Sequence, residues 1–154
     1  DPFMLATVGK LGVPFIAMHS RGNSLTMNEL TQYNKLPDDI IQWFFNENKK
    51  FVAAGIKDVI LDPGIGFAKT AEQNFDIISK LDSFKILEKP ILIGVSRKRF
   101  IYNTLEVSVE NALNGTTAMH MACLMKGASI LRVHDVKEAV ETVKLFCRLK
   151  NVGK

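Results

Sequence analysis

Ile91-Leu92-Ile93-Gly94-Val95-Ser96-Arg97-Lys98-Arg99 decides how the rest of the chain is read. An apolar run, interrupted once by Gly94, stops abruptly at a hydroxyl and three cations. That is neither the stripe of an amphipathic helix nor the alternation of a half-exposed strand. It fits a parallel strand covered on both faces, whose carboxyl end delivers cations into a site. The same letters also suit a core strand running into a solvated basic turn. The first reading gains from recurrence: similar punctuation appears elsewhere in the chain.

Outward from that strand, Pro14–His19, Asp58–Asp62 and Ile130–Val133 read as three more, and each runs into a polar insertion. The insertions are Ser20-Arg21-Gly22-Asn23, Asp62-Pro63-Gly64-Ile65-Gly66-Phe67 and Arg132-Val133-His134-Asp135. Helical patterns lie between the strands. Pro2–Lys10 reads as a helix end closed by Gly9 or Gly12. A second helix starts near Pro37, takes Asp38 and Asp39 into its first turn, and stops at Gly55. Its apolar face is expected to hold Ile40, Ile41, Phe44, Phe45, Phe51 and Val52. Phe75, Ile78 and Leu81 mark a third helix, Val109–Lys126 a fourth closed by Gly127, and Lys137–Leu149 the last. Asn28–Lys35 is polar and irregular. Strand–helix alternation of this kind implies parallel strands joined by right-handed crossovers. Polar residues gathered after strands suit a (β/α)8 barrel and an open doubly wound sheet alike. A barrel takes about 250 residues, so four strands would form its second half.

The 154 residues, 47% of them hydrophobic, suffice for one domain with a real core. No window approaches ~18 uninterrupted apolar residues, so no membrane association is expected. The first residues carry neither a signal-peptide pattern nor an initiator Met, which leads us to expect further sequence upstream. Cys123 and Cys147 lack metal or redox spacing and read as reduced packing residues of an intracellular protein. The compartment expected is the cytoplasm, with the mitochondrion as alternative. A net charge of +4 suits a small anionic substrate, and nothing interleaves aromatic with basic residues as nucleic-acid binding would require.

Three motifs carry chemistry. Asp62-Pro63-Gly64-Ile65-Gly66-Phe67-Ala68-Lys69-Thr70 is not a P-loop, because Ala68 and Pro63 stand where that pattern needs glycine. What remains is a carboxylate at a strand end, followed by glycines that let backbone approach a ligand. Asp62 suits either a turn cap or an acceptor of two hydrogen bonds from an amidine-like N–H pair, such as a pterin or guanine edge. Ser96 is not a nucleophile elbow, since Lys98 occupies the position of the second glycine. Arg132 and His134 alternate with Val133, so they share a face while Val133 turns into the packing. They suit an anionic oxygen cluster such as pyrophosphate, or equally an exposed strand edge. His19 and His120 form no metal spacing, and His120 reads as a packing or surface residue.

In order and spacing these motifs resemble dihydropteroate synthase, the folate-pathway enzyme that sulfonamides inhibit. The resemblance rests on DPFM, MHSRG, ILDPGIGFAKT with Asn74, GVSRKRFI, NGTTA with GAS, and RVHDV, and runs along essentially the whole chain. Ala68 and Arg99 depart from it, standing where bacterial-type members usually have Gly and Ser. The resemblance implies an α/β fold, with residues 1–154 as the C-terminal half of a (β/α)8 TIM barrel. It implies condensation of 6-hydroxymethyl-dihydropterin pyrophosphate with p-aminobenzoate, releasing pyrophosphate. Asp62, Lys98, Met18 and Gly66 then match the pterin side. Ser96, Phe67 and Arg97 match the aminobenzoate and sulfonamide side, while Arg132 and His134 match the pyrophosphate side. Lys98, Arg132 and His134 are the catalytic candidates. Mg²⁺ is implied as cofactor, with its ligand outside these residues, as are a homodimer at full length and fusion to upstream folate-pathway domains. Two other readings stand beside this one: a pterin-binding methyltransferase of the same fold, and a fragment that only binds.

Overall fold

A computed structural model describes residues 1–152. Helix α1 (Met4–Leu11) leads to strand β1 (Phe15–Met18), helix α2 (Asp38–Ala53) and strand β2 (Val59–Asp62). Helix α3 (Ala71–Ser79) continues into a 3-10 segment, Leu81–Leu87, before strand β3 (Leu92–Ile93). Then come α4 (Arg99–Thr104), α5 (Leu113–Met125), strand β4 (Ile130–Leu131) and α6 (Val136–Lys150).

The strands are parallel and neighbour each other in chain order. β1 pairs with β2 in a register that sets Met18 beside Asp62, and β3 pairs with β4. A single parallel bridge, Leu61 to Ile91, joins the two ladders. Each crossover passes through a helix, which is half of the (β/α)8 pattern expected from the sequence. All four carboxyl ends point the same way, so the polar loops after them lie together. β1 and β4 each have a neighbour on one side only. Accordingly Ile16 and Met18 on β1, and Ile130 on β4, remain partly exposed.

The core fills the space between the strands and the helices outside them. Ile40, Phe44 and Phe51 of α2 meet Leu81 and Phe84, with Phe44 and Phe84 edge to face at 6.4 Å. Val59, Leu61, Ile91, Ile93 and Val95 close it from the strand side. Each such side chain contributes roughly 1.5–3 kcal/mol when fully buried.

Several expected boundaries move. Phe45 and Val52 lie on the solvent side of α2, because Ile40, Phe44 and Phe51 already cover the contact face. Gly12, at φ +65°, closes α1. Gly9 lies inside that helix, where a Cβ would run into the Ala54 carbonyl. The helix expected from Val109 begins at Leu113, after a 3-10 turn over Val109–Asn111. Leu81 belongs to the 3-10 segment and not to α3. The basic run is not a plain turn: Arg99 opens the short helix α4, which buries Phe100 and Ile101. Cys123 is a packing residue, its thiol pushed up to about 12 by burial, whereas Cys147 is exposed on α6 and lies outside the core.

Candidate active site

β2 ends at Asp62, and its backbone is fixed there by the ladder: the His19 N–H donates to the Asp62 carbonyl at 2.9 Å. The carboxylate is buried, and its Oδ1 accepts one hydrogen bond, 2.8 Å from the Gly64 N–H. Burial raises the Asp62 pKa, while the Gly64 N–H and the charges of Lys98, Arg132 and Lys69 oppose that rise. One acid with three cations around it is thus the electrical centre of the loops.

Lys98 caps the start of α4 and turns back towards the Asp62 loop. Its ammonium donates to the Ile65 carbonyl and sits 4.7 Å from the centroid of the Phe67 ring, a cation–π distance. Gly66 is needed there by its φ of +79°, and a Cβ would also lie 3.1 Å from the Lys98 Cδ. Burial lowers Lys98 to about 8; Asp62 works against that shift and Arg132 adds to it. Arg132 follows β4 and continues the ladder through its N–H, 2.9 Å from the Ile93 carbonyl. Its guanidinium lies over Gly94, where a Cβ would stand 3.3 Å from Nε. The glycine that interrupts the apolar run just after β3 therefore makes room for a cation. Arg132 and His134 are exposed and Val133 half-buried, as the alternation predicts, although β4 proper ends at Leu131.

Ser96 is buried, and its hydroxyl accepts the His134 N–H at 3.2 Å, which ties the two cation-bearing loops together. Arg97, expected on the aminobenzoate side, is committed elsewhere. Its Nε and Nη2 donate to the two oxygens of Asp135 at 3.0 and 2.9 Å, and its Nη1 donates to the Val109 and Glu110 carbonyls. Its own N–H, at φ +49°, donates to the Thr116 hydroxyl at 2.9 Å. Such a bidentate fork holds loops in place and leaves little of the guanidinium for a ligand. Met18 is 38% exposed, beside Asp62 in the register, so its thioether is available to a flat ring. His120 is a packing residue: it is buried on α5, and its Nε2 has no partner among the described residues.

Reading the sequence by motif missed Lys69. Its Nζ lies 3.0 Å from the Gly64 carbonyl, 2.9 Å from that of Phe67 and 3.2 Å from His19 Nδ1. Burial lowers it to about 7; Asp62 opposes the shift, and Lys98 and Arg21 reinforce it. His19 falls to about 3, through burial and then the charges of Lys69 and Arg21, so its ring is neutral and accepts. The signal was present in the sequence, as a lysine directly after a glycine-rich loop, but a failed P-loop match hides it. Gly64 is the tightest point of this loop. At φ +70°, with any Cβ driven into the His19 carbonyl, Gly64→Ala should cost at least ~2 kcal/mol, read as a lower urea midpoint.

Among the described residues no three His, Cys, Asp or Glu side chains gather as metal ligands. Asp62, ringed by cations, is itself a poor partner for Mg²⁺. A cavity of about 920 Å³ runs along α6 beside β4 and is lined by residues such as Leu131, Val140 and Phe146. None of the expected site residues lines it, and the chemistry lies with the polar loops instead.

Parallel strands with a buried carboxylate and clustered cations beyond their carboxyl ends define the active-site half of a (β/α)8 enzyme. The chain belongs to the pterin binding enzyme family, whose model matches residues 1–134. It is 35% identical over 147 residues to the dihydropteroate synthase of Escherichia coli, across 94% of this chain and 52% of that protein. It is 36% identical over 135 residues to the bifunctional dihydropteroate synthase/dihydropteroate reductase of Helicobacter pylori, across 88% of this chain and 36% of the other. The dihydropteroate synthase of Yersinia pestis, solved in complex with a sulfonamide drug, superposes with a TM-score of 0.95 at 34% identity. That match covers 99% of this chain and 56% of the Yersinia chain. The chain thus spans about half the length of the E. coli relative.

Proposed function

We propose that these residues are the C-terminal half of a dihydropteroate synthase, the part that clamps the pterin and receives the leaving pyrophosphate. The observation that carries this reading is the convergence of Lys98, Arg132 and Lys69 on one buried carboxylate. A carboxylate accepts the paired N–H edge of a pterin, and Arg132 and Lys98 meet the charge that develops on pyrophosphate. In the reaction the neutral arylamine attacks the pterin methylene carbon and forms the new N–C bond. The C–O bond breaks with its electron pair going to pyrophosphate, and the nitrogen then releases a proton. Preorganised cations stabilise that departure without a buried base. A methyl-transferring enzyme would have no leaving pyrophosphate for Arg132, over Gly94, to receive.

On this reading Asp62, Met18 and Gly66 hold the pterin, with Phe67 and Ser96 beside the aminobenzoate and its sulfonamide mimics. Arg132 and His134 hold pyrophosphate, and Lys98 bridges the two sides. Mg²⁺ would be bound by residues elsewhere in the full-length protein. A cytoplasmic homodimer, with or without fused folate-pathway domains, completes the proposal. Incubating the full-length protein with the pterin pyrophosphate and p-aminobenzoate should yield dihydropteroate and pyrophosphate in equal amounts. Absence of both products, with folded protein and Mg²⁺ present, refutes the reading.

Lys98→Ala should lower kcat/KM by roughly 10- to 150-fold, the loss of a charged hydrogen bond of about 1.5–3 kcal/mol. Since Lys98 loses its proton near pH 8, the parent's kcat/KM should fall above that pH as the cation disappears. The variant should lose this alkaline limb. Arg99→Ser should be mild, because Arg99 is exposed and makes no site contact.

A further inference from the structure

Lys69 satisfies all three of its ammonium protons inside the chain. The Gly64 carbonyl, the Phe67 carbonyl and the neutral His19 Nδ1 lie at 3.0, 2.9 and 3.2 Å, one acceptor for each N–H. Two of these acceptors belong to the loop that Lys69 itself ends, so the loop is wrapped around its own lysine. The far side of the same loop carries the surface that Lys98 engages, the Ile65 carbonyl and the Phe67 ring. The Asp62 backbone is fixed separately, by the ladder to His19, and its carboxylate meets this loop only at its first turn, through the Gly64 N–H. Two further supports hold the loop, from α3 and from the segment before α2: buried Asn74 accepts the Gly66 N–H at 2.7 Å, and the Tyr33 hydroxyl donates to the Ala68 carbonyl at 3.1 Å.

We propose that Lys69 is a positioning residue that sets arylamine specificity: its ammonium shapes the Pro63–Ala68 loop from inside and so places Phe67 and Lys98 for the incoming amine. The specificity part rests on the synthase reading above; the shaping of the loop does not. Burial works against the ammonium, so this shape of the loop should weaken as pH rises through about 7, when loss of one proton leaves one of the three acceptors without a donor. Lys98 meets the Phe67 ring on the outer part of the loop, whereas Asp62 and Met18 stand on the strands. The change should therefore act more on the arylamine than on the pterin, which meets the loop only at Gly66 and through Lys98.

The test uses the full-length protein with Lys69→Met, which keeps the length of the side chain and removes every donor. Hydrogen exchange at the Gly66 and Phe67 N–H groups should quicken about tenfold or more, and KM for p-aminobenzoate should rise by a similar factor. The dissociation constant of the pterin pyrophosphate should change clearly less than the arylamine KM, by no more than about threefold. Lys69→Arg keeps charge and donors in a different shape, and should recover part of both losses. Should Lys69→Met fail to fold, Lys69→Arg decides: loop exchange and arylamine KM must shift together, with pterin affinity held. Unchanged loop exchange overturns the proposal, and so do equal losses for arylamine and pterin. If the parent makes no dihydropteroate, the synthase reading fails, while the exchange measurement still decides whether Lys69 holds the loop.

Discussion

Asp62→Asn in the full-length protein should weaken pterin binding by about 100-fold or more while leaving the melting temperature equal to or above the parent's. The two halves of this expectation have separate causes. A carboxylate that accepts two N–H bonds from the pterin edge gains about 1.5–3 kcal/mol from each. Asn offers one acceptor and turns an NH₂ towards a donor, so both contributions suffer. The fold has no such dependence. Burial raises the Asp62 pKa above its ordinary 3.8. The stability linked to that group is complete below about 3.8 and is lost as pH rises through the higher folded value. At neutral pH the charged carboxylate therefore costs stability, and a neutral amide of the same shape removes the cost. Asn can still accept the Gly64 N–H. Calorimetric titration with the pterin, beside a thermal melt near pH 7, separates the effects. A variant that binds as the parent does, or that simply melts, sinks the assignment. A secondary effect should follow: without the Asp62 charge, the protons of Lys98 and Lys69 come off at lower pH.

Much of this site is legible in the sequence because parallel strands write it so. A strand buried on both faces must be apolar until it ends, so the first charged residue marks its carboxyl end. Asp62 and the Ser96–Lys98 run are found that way, and Arg132 with His134 by alternation. Other features depend on contacts that no local pattern carries. Arg97 looks like its neighbour Lys98, yet Asp135, 38 residues later, takes its fork, and a left-handed backbone turns it away. Lys69 folds inward onto carbonyls, which have no residue identity to read. Helix α4 begins at a basic run without a capping side chain, so its start resembles a turn. The exposed Phe45 and Val52 show the limit of periodicity: a face of six apolar residues was expected where the partner surface covers only some of them.

The guanidinium of Arg132 tests the remaining part of the site, the place where charge leaves. Arg132→Ala in the full-length protein should weaken binding of the pterin pyrophosphate by about 100-fold, since a fork on two phosphate oxygens makes two charged hydrogen bonds of about 1.5–3 kcal/mol each. The pterin alcohol, which lacks the anion, should bind within about twofold of the parent. The comparison needs a slightly alkaline pH, because Arg132 also holds down the pKa of Asp62, and its loss would let that acid protonate sooner. Arg132→Lys keeps the charge without the fork and should fall between parent and alanine for the pyrophosphate alone. Backbone effects should be small: the ladder bond to Ile93 is made by the Arg132 N–H, which alanine retains. Truncation also leaves open space above Gly94, at a solvent-exposed position where water can enter. Equal losses for the alcohol and the pyrophosphate would place Arg132 in the ring pocket or in support of Asp62. The pyrophosphate would then have to be held by His134 and Lys98 without it.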